Sequence, residues 1–203
     1  MTNSRNCSNV DRRLGAQLRL VLLGCLCSLH SSQAGEVLDS HVGTNGDHYL
    51  LRIDMLINAK TDRVRQLLTD YAHLDRLSQS ITRSELLETT PPSYRIRVTT
   101  DGCMLFFCRE LVQVQDVTEL KDGYIVVTVL PEMSDFTYSR NVWRIRAQDG
   151  GTRVTYSSDL VPGFWIPPLI GTSIFKHKLL AETRQLIDNL EQLANLPHDS
   201  TQQ

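Results

Sequence analysis

A chain of 203 residues with 41% hydrophobic side chains is long and apolar enough for one domain with a core of ordinary size. The formal net charge is −2, with both signs mixed along the chain and no basic block, so the electrostatic footprint of a nucleic-acid partner is missing. No low-complexity bias and no useful internal repeat is present, which excludes collagen-like, mucin-like and solenoid architectures.

Residues 1–34 stand apart from the rest. Arg5, Arg12, Arg13 and Arg19 precede or open the apolar run LRLVLLGCLCSL, and small residues Ser32 and Ala34 follow two apart. A positive region, a short apolar stretch and an A-x-A-like site predict a cleaved secretory signal peptide, and hence an exported, periplasmic protein. The apolar run is about half the ~20 residues a spanning helix needs. A tether through a lipidated Cys25 in Leu22-Leu23-Gly24-Cys25, or through an uncleaved N-terminus, is the alternative. Without these residues, which carry four arginines and one aspartate, the chain becomes more acidic.

Residues 35–46 are polar and turn-rich and read as a linker, or at most a weak first strand. HYLLRIDMLINA, 48–59, alternates as a strand should. Thr61 is placed to cap a helix whose stripe is Val64, Leu67, Leu68 and Tyr71, and a second short helix is expected over 74–78. The period then changes to two. Strands are predicted over 81–89, 93–100, 105–117, 123–130, 135–148 and 152–161, with turn signals at Pro91-Pro92, Lys121-Asp122-Gly123 and Asp149-Gly150-Gly151. From Pro167-Pro168 a long helix is expected. Ile170, Ile174, Leu179, Ile187, Leu190 and Leu193 lie near one face, while Lys178–Glu182 and Arg184–Asp188 are i,i+4 pairs assigned to the other. Residues 196–203 read as a frayed tail.

Strand, two short helices, an antiparallel meander of about 6–7 strands in all and one long helix define an α+β chain. That order, carried by INAKTDRVRQLLTDYAHLDRLSQSI, NVWRIRAQDGGTRVTYSSDL and FWIPPLIGTSIFKHKLLAETRQLIDNLEQLA, resembles the START-like (SRPBCC) helix-grip superfamily. It most resembles the polyketide cyclase/dehydrase and lipid transport branch, which includes coenzyme-Q-binding proteins. The resemblance covers residues 47–195. It implies a curved antiparallel sheet wrapped around the C-terminal helix, with an apolar cavity between them for a lipid, isoprenoid or polyketide-like ligand. It carries no universal catalytic motif.

Strand alternation nominates Ile96, Val98, Phe106, Val112, Val114, Trp143, Ile145 and Tyr156 as inward-facing residues of such a cavity. Phe164, Trp165, Ile170 and Ile174 are nominated for its mouth and helix wall. Plain core packing explains the same pattern. Phe164, Trp165 and Ile166 would serve either as a membrane-touching lip or as a buried elbow. Arg97, Arg109 and Glu110 are the polar candidates, because a charge turned inward needs a partner. The histidines have no ligand spacing, so no metal and no cofactor are expected, and no catalytic residues can be named.

Cys103 and Cys108 admit three readings: a disulfide, two inert thiols, or a reactive centre. Five residues of straight strand span about 17 Å, far beyond a disulfide's reach. A bond therefore requires the chain to reverse between them, whereas a turn at Asp101-Gly102 would leave them unpaired. Sequestration of a hydrophobic ligand is the expected function. A cyclase/dehydratase-type enzyme in the same cavity, and an envelope protein with a filled core that binds a partner, are the alternatives.

Overall fold

The computed structural model describes residues 35–104, 107–167 and 170–196. The chain divides after Ser32, and all the described residues belong to the second unit, Gln33–Gln203. The expected signal segment and most of the expected tail lie outside the described residues.

Among the described residues, eight strands form one antiparallel sheet. In chain order they are β1 (Glu36–Asn45), β2 (His48–Ile57), β3 (Ile81–Thr90), β4 (Ser93–Met104), β5 (Phe107–Glu119), β6 (Tyr124–Val129), β7 (Phe136–Gln148) and β8 (Gly151–Pro162). Helix α1 (Thr61–Leu68) and a 3-10 turn (Leu74–Arg76) lie between β2 and β3, and α2 (Thr172–Asn195) closes the chain. The order across the sheet is β1-β2-β8-β7-β6-β5-β4-β3, so the only non-sequential neighbours are β2 and β8. This is the helix-grip arrangement, with one strand more than the expected number.

The extra strand corrects the reading of 35–46 as a linker. Residues 36–45 pair with β2 through a turn at Gly46, whose φ is +64°. β1 is an edge strand with half-exposed and exposed side chains, so it needs no apolar alternation, and its composition hid it. β2 shows the alternation in full: Leu51, Ile53, Met55 and Ile57 are buried. The β7–β8 hairpin turns at Asp149-Gly150, and a Cβ on the next residue, Gly151, would overlap the carbonyl oxygen of Ile57.

Both helices start slightly off the expected positions. The residue before α1 is Lys60, and Thr61 is its first helical residue, its hydroxyl 3.1 Å from that of Thr152. α2 begins at Thr172 after Gly171 and spans 24 residues, about 36 Å. Its lower half buries Ile187, Leu190 and Ala194 against Ile53, Met55, Ile57 and Val154 of the sheet and Val64 and Leu68 of α1. Each such side chain removed from water contributes about 1.5–3 kcal/mol, so this half of α2 is the fixed end of the helix. No helix among the described residues is long and apolar enough to cross a membrane.

Candidate functional site

The upper half of α2 and the sheet enclose a cavity in two adjoining chambers. The α2-side chamber has a volume of about 390 Å³ and lies between the start of α2 (Phe175, Lys178, Leu179, Glu182), the start of β3 and the tip of the β4–β5 hairpin. The second chamber, about 270 Å³, is the deeper one. Its walls are mostly buried side chains, Leu68, Tyr71 and Leu77 from the α1 region and Ile96, Val98, Val117, Ile125 and Val127 from the sheet. Ser78, Ile81, Gln113, Trp143, Tyr156 and Leu186 border both chambers.

Strand register decides which side chains face in. Residues opposite each other in antiparallel strands share a face. Ile96 and Val98 lie opposite Gln115 and Gln113, and Trp143 lies opposite Tyr156 with ring centroids 4.3 Å apart. Ile96, Val98, Trp143 and Tyr156 therefore line the cavity, as their strand positions led us to expect.

Val112 and Val114 do not line it. They alternate with Leu111, Gln113 and Gln115, which do. Apolar residues sit on both faces here, Val114 being buried although it faces away from the cavity, and the segment after β6 completes the edge of β5. Leu130 N–H donates to the Val114 carbonyl at 2.8 Å and Asp135 N–H to the Val112 carbonyl at 2.9 Å. Ile145 and Ile170 are buried and Ile174 half-buried, but none borders either chamber. The places of Ile170 and Ile174 on the helix wall are taken by Phe175, Leu179 and Leu186. Phe106 lies outside the described residues.

The polar candidates also turn away. Arg97 lies opposite Val114, on the convex face, and pairs with Glu85 at 3.3 Å. Glu110 is exposed. Arg109 borders neither chamber: it pairs with Asp135 at 3.1 Å and covers the Phe164 ring at 4.9 Å. Phe164 in turn meets Phe136 edge-on at 5.9 Å. Phe164 and Ile166 are thus half-buried in an elbow, whereas Trp165 is 70% exposed.

Apart from Tyr156, the polar groups that do face the cavity were missed in the sequence. Lys178 and Glu182, assigned to the solvent face of the helix, border the α2-side chamber and pair at 2.9 Å, and Ser80 donates to Glu182 at 2.5 Å. Asp101 borders the same chamber. In the deeper chamber Tyr156 O–H donates to Asn141 Oδ1 at 3.1 Å, Asn141 Nδ2 donates to Ser139 Oγ at 3.3 Å, and Gln115 Nε2 donates to Gln113 Oε1 at 2.6 Å. Tyr71 donates to Glu119 at 3.1 Å. Burial first, then the neighbouring Glu119 carboxylate, pushes the Tyr71 hydroxyl well above its ordinary range, and burial does the same for Tyr156. Both phenols therefore remain neutral donors across the physiological range.

The cysteines face each other across the β4–β5 hairpin and are joined as a disulfide. The chain reverses between them, since Met104 pairs with Phe107, while Asp101-Gly102 lies within β4 opposite Arg109 and Glu110. Gly102 serves packing rather than a turn: a Cβ there would sit 2.9 Å from Leu111 Cδ1. Cys103 borders the α2-side chamber, so the staple lies at the cavity rim. Among the described residues no cluster of His, Cys, Asp or Glu is placed to hold a metal ion.

Comparison with curated proteins finds no match. Among solved structures, the STAR-related lipid transfer protein from Xanthomonas axonopodis is similar, with TM-score 0.60 and 18% identity over 77% of this chain and 98% of that one. A START superfamily protein from Mycobacterium smegmatis has TM-score 0.58 and 15% identity over 71% and 98% of the two chains. The Zhui aromatase/cyclase from Streptomyces sp. R1128 has TM-score 0.54 and 14% identity over 76% and 94%. At these identities the likeness shows the fold. A family model, described as polyketide cyclase / dehydrase and lipid transport, matches residues 51–195, and the chain belongs to that START-like family.

Proposed function

We propose that this chain is an exported protein that sequesters or carries a hydrophobic small molecule of the lipid, isoprenoid or polyketide-like kind. The observation that carries the reading is the mostly apolar, two-chambered cavity between the sheet and the upper half of α2. Burying about 300 Å² of apolar ligand surface there contributes on the order of 7 kcal/mol before association costs. Export is supported by the N-terminal pattern of arginines, apolar run and small residues, and by the paired cysteines, which suit an oxidising compartment. Exposed Trp165 is suited to transient contact with a membrane surface during loading.

A second reading, a cyclase- or dehydratase-type enzyme, is favoured by one observation: the Lys178–Glu182 pair on the chamber wall is suited to moving protons next to a bound molecule. Native mass spectrometry of the protein isolated from cell envelopes tests the proposal and separates the two readings. A small hydrophobic adduct recovered chemically unchanged is expected. An adduct converted on incubation would favour the enzyme. A protein that carries nothing, and takes up no lipid extract, would overturn both.

A further inference from the structure

The deeper chamber combines apolar walls with a band of uncharged hydrogen-bonding groups. Gln113, Gln115, Ser139, Asn141 and Tyr156 come from three strands, β5, β7 and β8, and meet on one concave face. Gln115, Ser139 and Asn141 are buried at 8%, 2% and 8% exposure. Among the described residues no charged side chain borders this chamber. A polar band is costly to bury and does nothing for the core that leucine and valine would not do better. A side-chain carboxamide offers two N–H donors and two carbonyl lone pairs. The bonds within the band use only part of that capacity: one N–H each of Asn141 and Gln115, and one lone pair each of Asn141 Oδ1 and Gln113 Oε1.

We propose that this band receives the uncharged polar end of the ligand, a hydroxyl or a carbonyl oxygen, and that the chamber rejects a carboxylate or a phosphate. The inference rests on the carrier reading above and names the class of molecule carried. A neutral oxygen gains hydrogen bonds from the amide N–H groups that the band leaves unused, at little desolvation cost, while the Tyr156 O–H is held by Asn141 Oδ1. An anion would lose its hydration with no cation facing it, because Lys178 belongs to the other chamber and is already paired with Glu182. The apolar remainder of the molecule then runs past Trp143 toward the α2-side chamber.

The test uses the full chain with Trp165→Phe, which leaves Trp143, on the border of both chambers, as the sole tryptophan reporter. Quenching is titrated at neutral pH with dodecanol, dodecyl methyl ketone, dodecanoate and, as a tail-only control, dodecane. Dodecanol and the ketone are expected to bind at least about tenfold more tightly than either dodecanoate or dodecane. Asn141→Leu, or Gln113→Leu should the first variant fail to fold, is expected to reduce alcohol binding toward that of dodecane while leaving dodecane binding unchanged. Dodecanoate binding as tightly as dodecanol, or dodecanol no better than dodecane, would overturn the assignment while leaving the carrier reading intact. Quenching by none of the four would remove the carrier reading itself.

Discussion

Truncating two leucines one helical turn apart on α2 distinguishes an open cavity from a filled core. Leu190 has no exposed surface and packs in the fixed lower half of the helix, whereas Leu186 borders both chambers. Leu→Ala in a close-packed site loses transfer free energy and also leaves a void, at about 24 cal/mol per Å³ of residual cavity. For Leu190 both losses apply, and the expected cost is about 4 kcal/mol. Leu186 already faces empty space on one side, so its truncation enlarges a void whose lining has no partners to lose. Its expected cost is only about 1–2 kcal/mol. For a chain of this size 1 kcal/mol is worth roughly 2–4 °C, so Leu190→Ala lowers Tm by roughly 8–16 °C and Leu186→Ala by roughly 2–8 °C. Urea unfolding followed by circular dichroism, with equal m-values, supplies the two free energies. If Leu186→Ala costs as much as Leu190→Ala, Leu186 is packed on all sides, the cavity is closed, and the carrier reading loses its basis.

Three further outcomes are expected. The Cys103–Cys108 staple closes a six-residue loop, for which chain entropy gives about 2 kcal/mol. Replacing both cysteines with serine should cost that much in oxidising buffer and nothing in reducing buffer, and equal stability in the two buffers would refute it. Arg153 donates to Asp54 from both Nε and Nη2, the first at 2.9 Å, and these bonds hold the Asp54 carboxyl below its ordinary range. A depressed folded-state pKa stabilises the fold above the unfolded value and ceases to as pH falls through the folded one, so the stability gap between native chain and Asp54→Asn should be full at neutral pH and close below about pH 4. A gap that widened on acidification would contradict the pairing. Trp165→Ala should lose co-flotation with lipid vesicles yet titrate with dodecanol as before, and unchanged flotation would remove Trp165 from the membrane contact.

The fold was legible because its signals are local. The Asp149-Gly150-Gly151 turn, the alternation of β2 and the helical stripe that includes Ile187 and Leu190 each specify an element without knowledge of its neighbours. The site was legible only where alternation was unambiguous, as at Ile96, Val98, Trp143 and Tyr156. On β5 the rule that apolar faces inward failed. Val114 is buried on the face away from the cavity, and the glutamines face the cavity. The parity of Val117, which lines the deeper chamber with Gln113 and Gln115, was the available clue. Lys178 and Glu182 were misassigned because an i,i+4 ion pair at a cavity rim has the same sequence pattern as one on a solvated face. The cysteine question depended on the position of a reversal that Asp101-Gly102, the stronger turn signal, did not mark.

The sheet order also governs how the chain can fold. β2 is hydrogen-bonded over nine residue pairs to β8, a partner about a hundred residues later in the chain, while every other pairing is between neighbours in sequence. The hairpins can form as soon as each is complete, but the sheet stays in two pieces until the last strand arrives. Closing that long loop is the entropically expensive step, and it places β1 and β2 among the last elements to be consolidated. The α2-side chamber, to which β2 contributes Ile53 and Met55, is complete only once that pairing has formed.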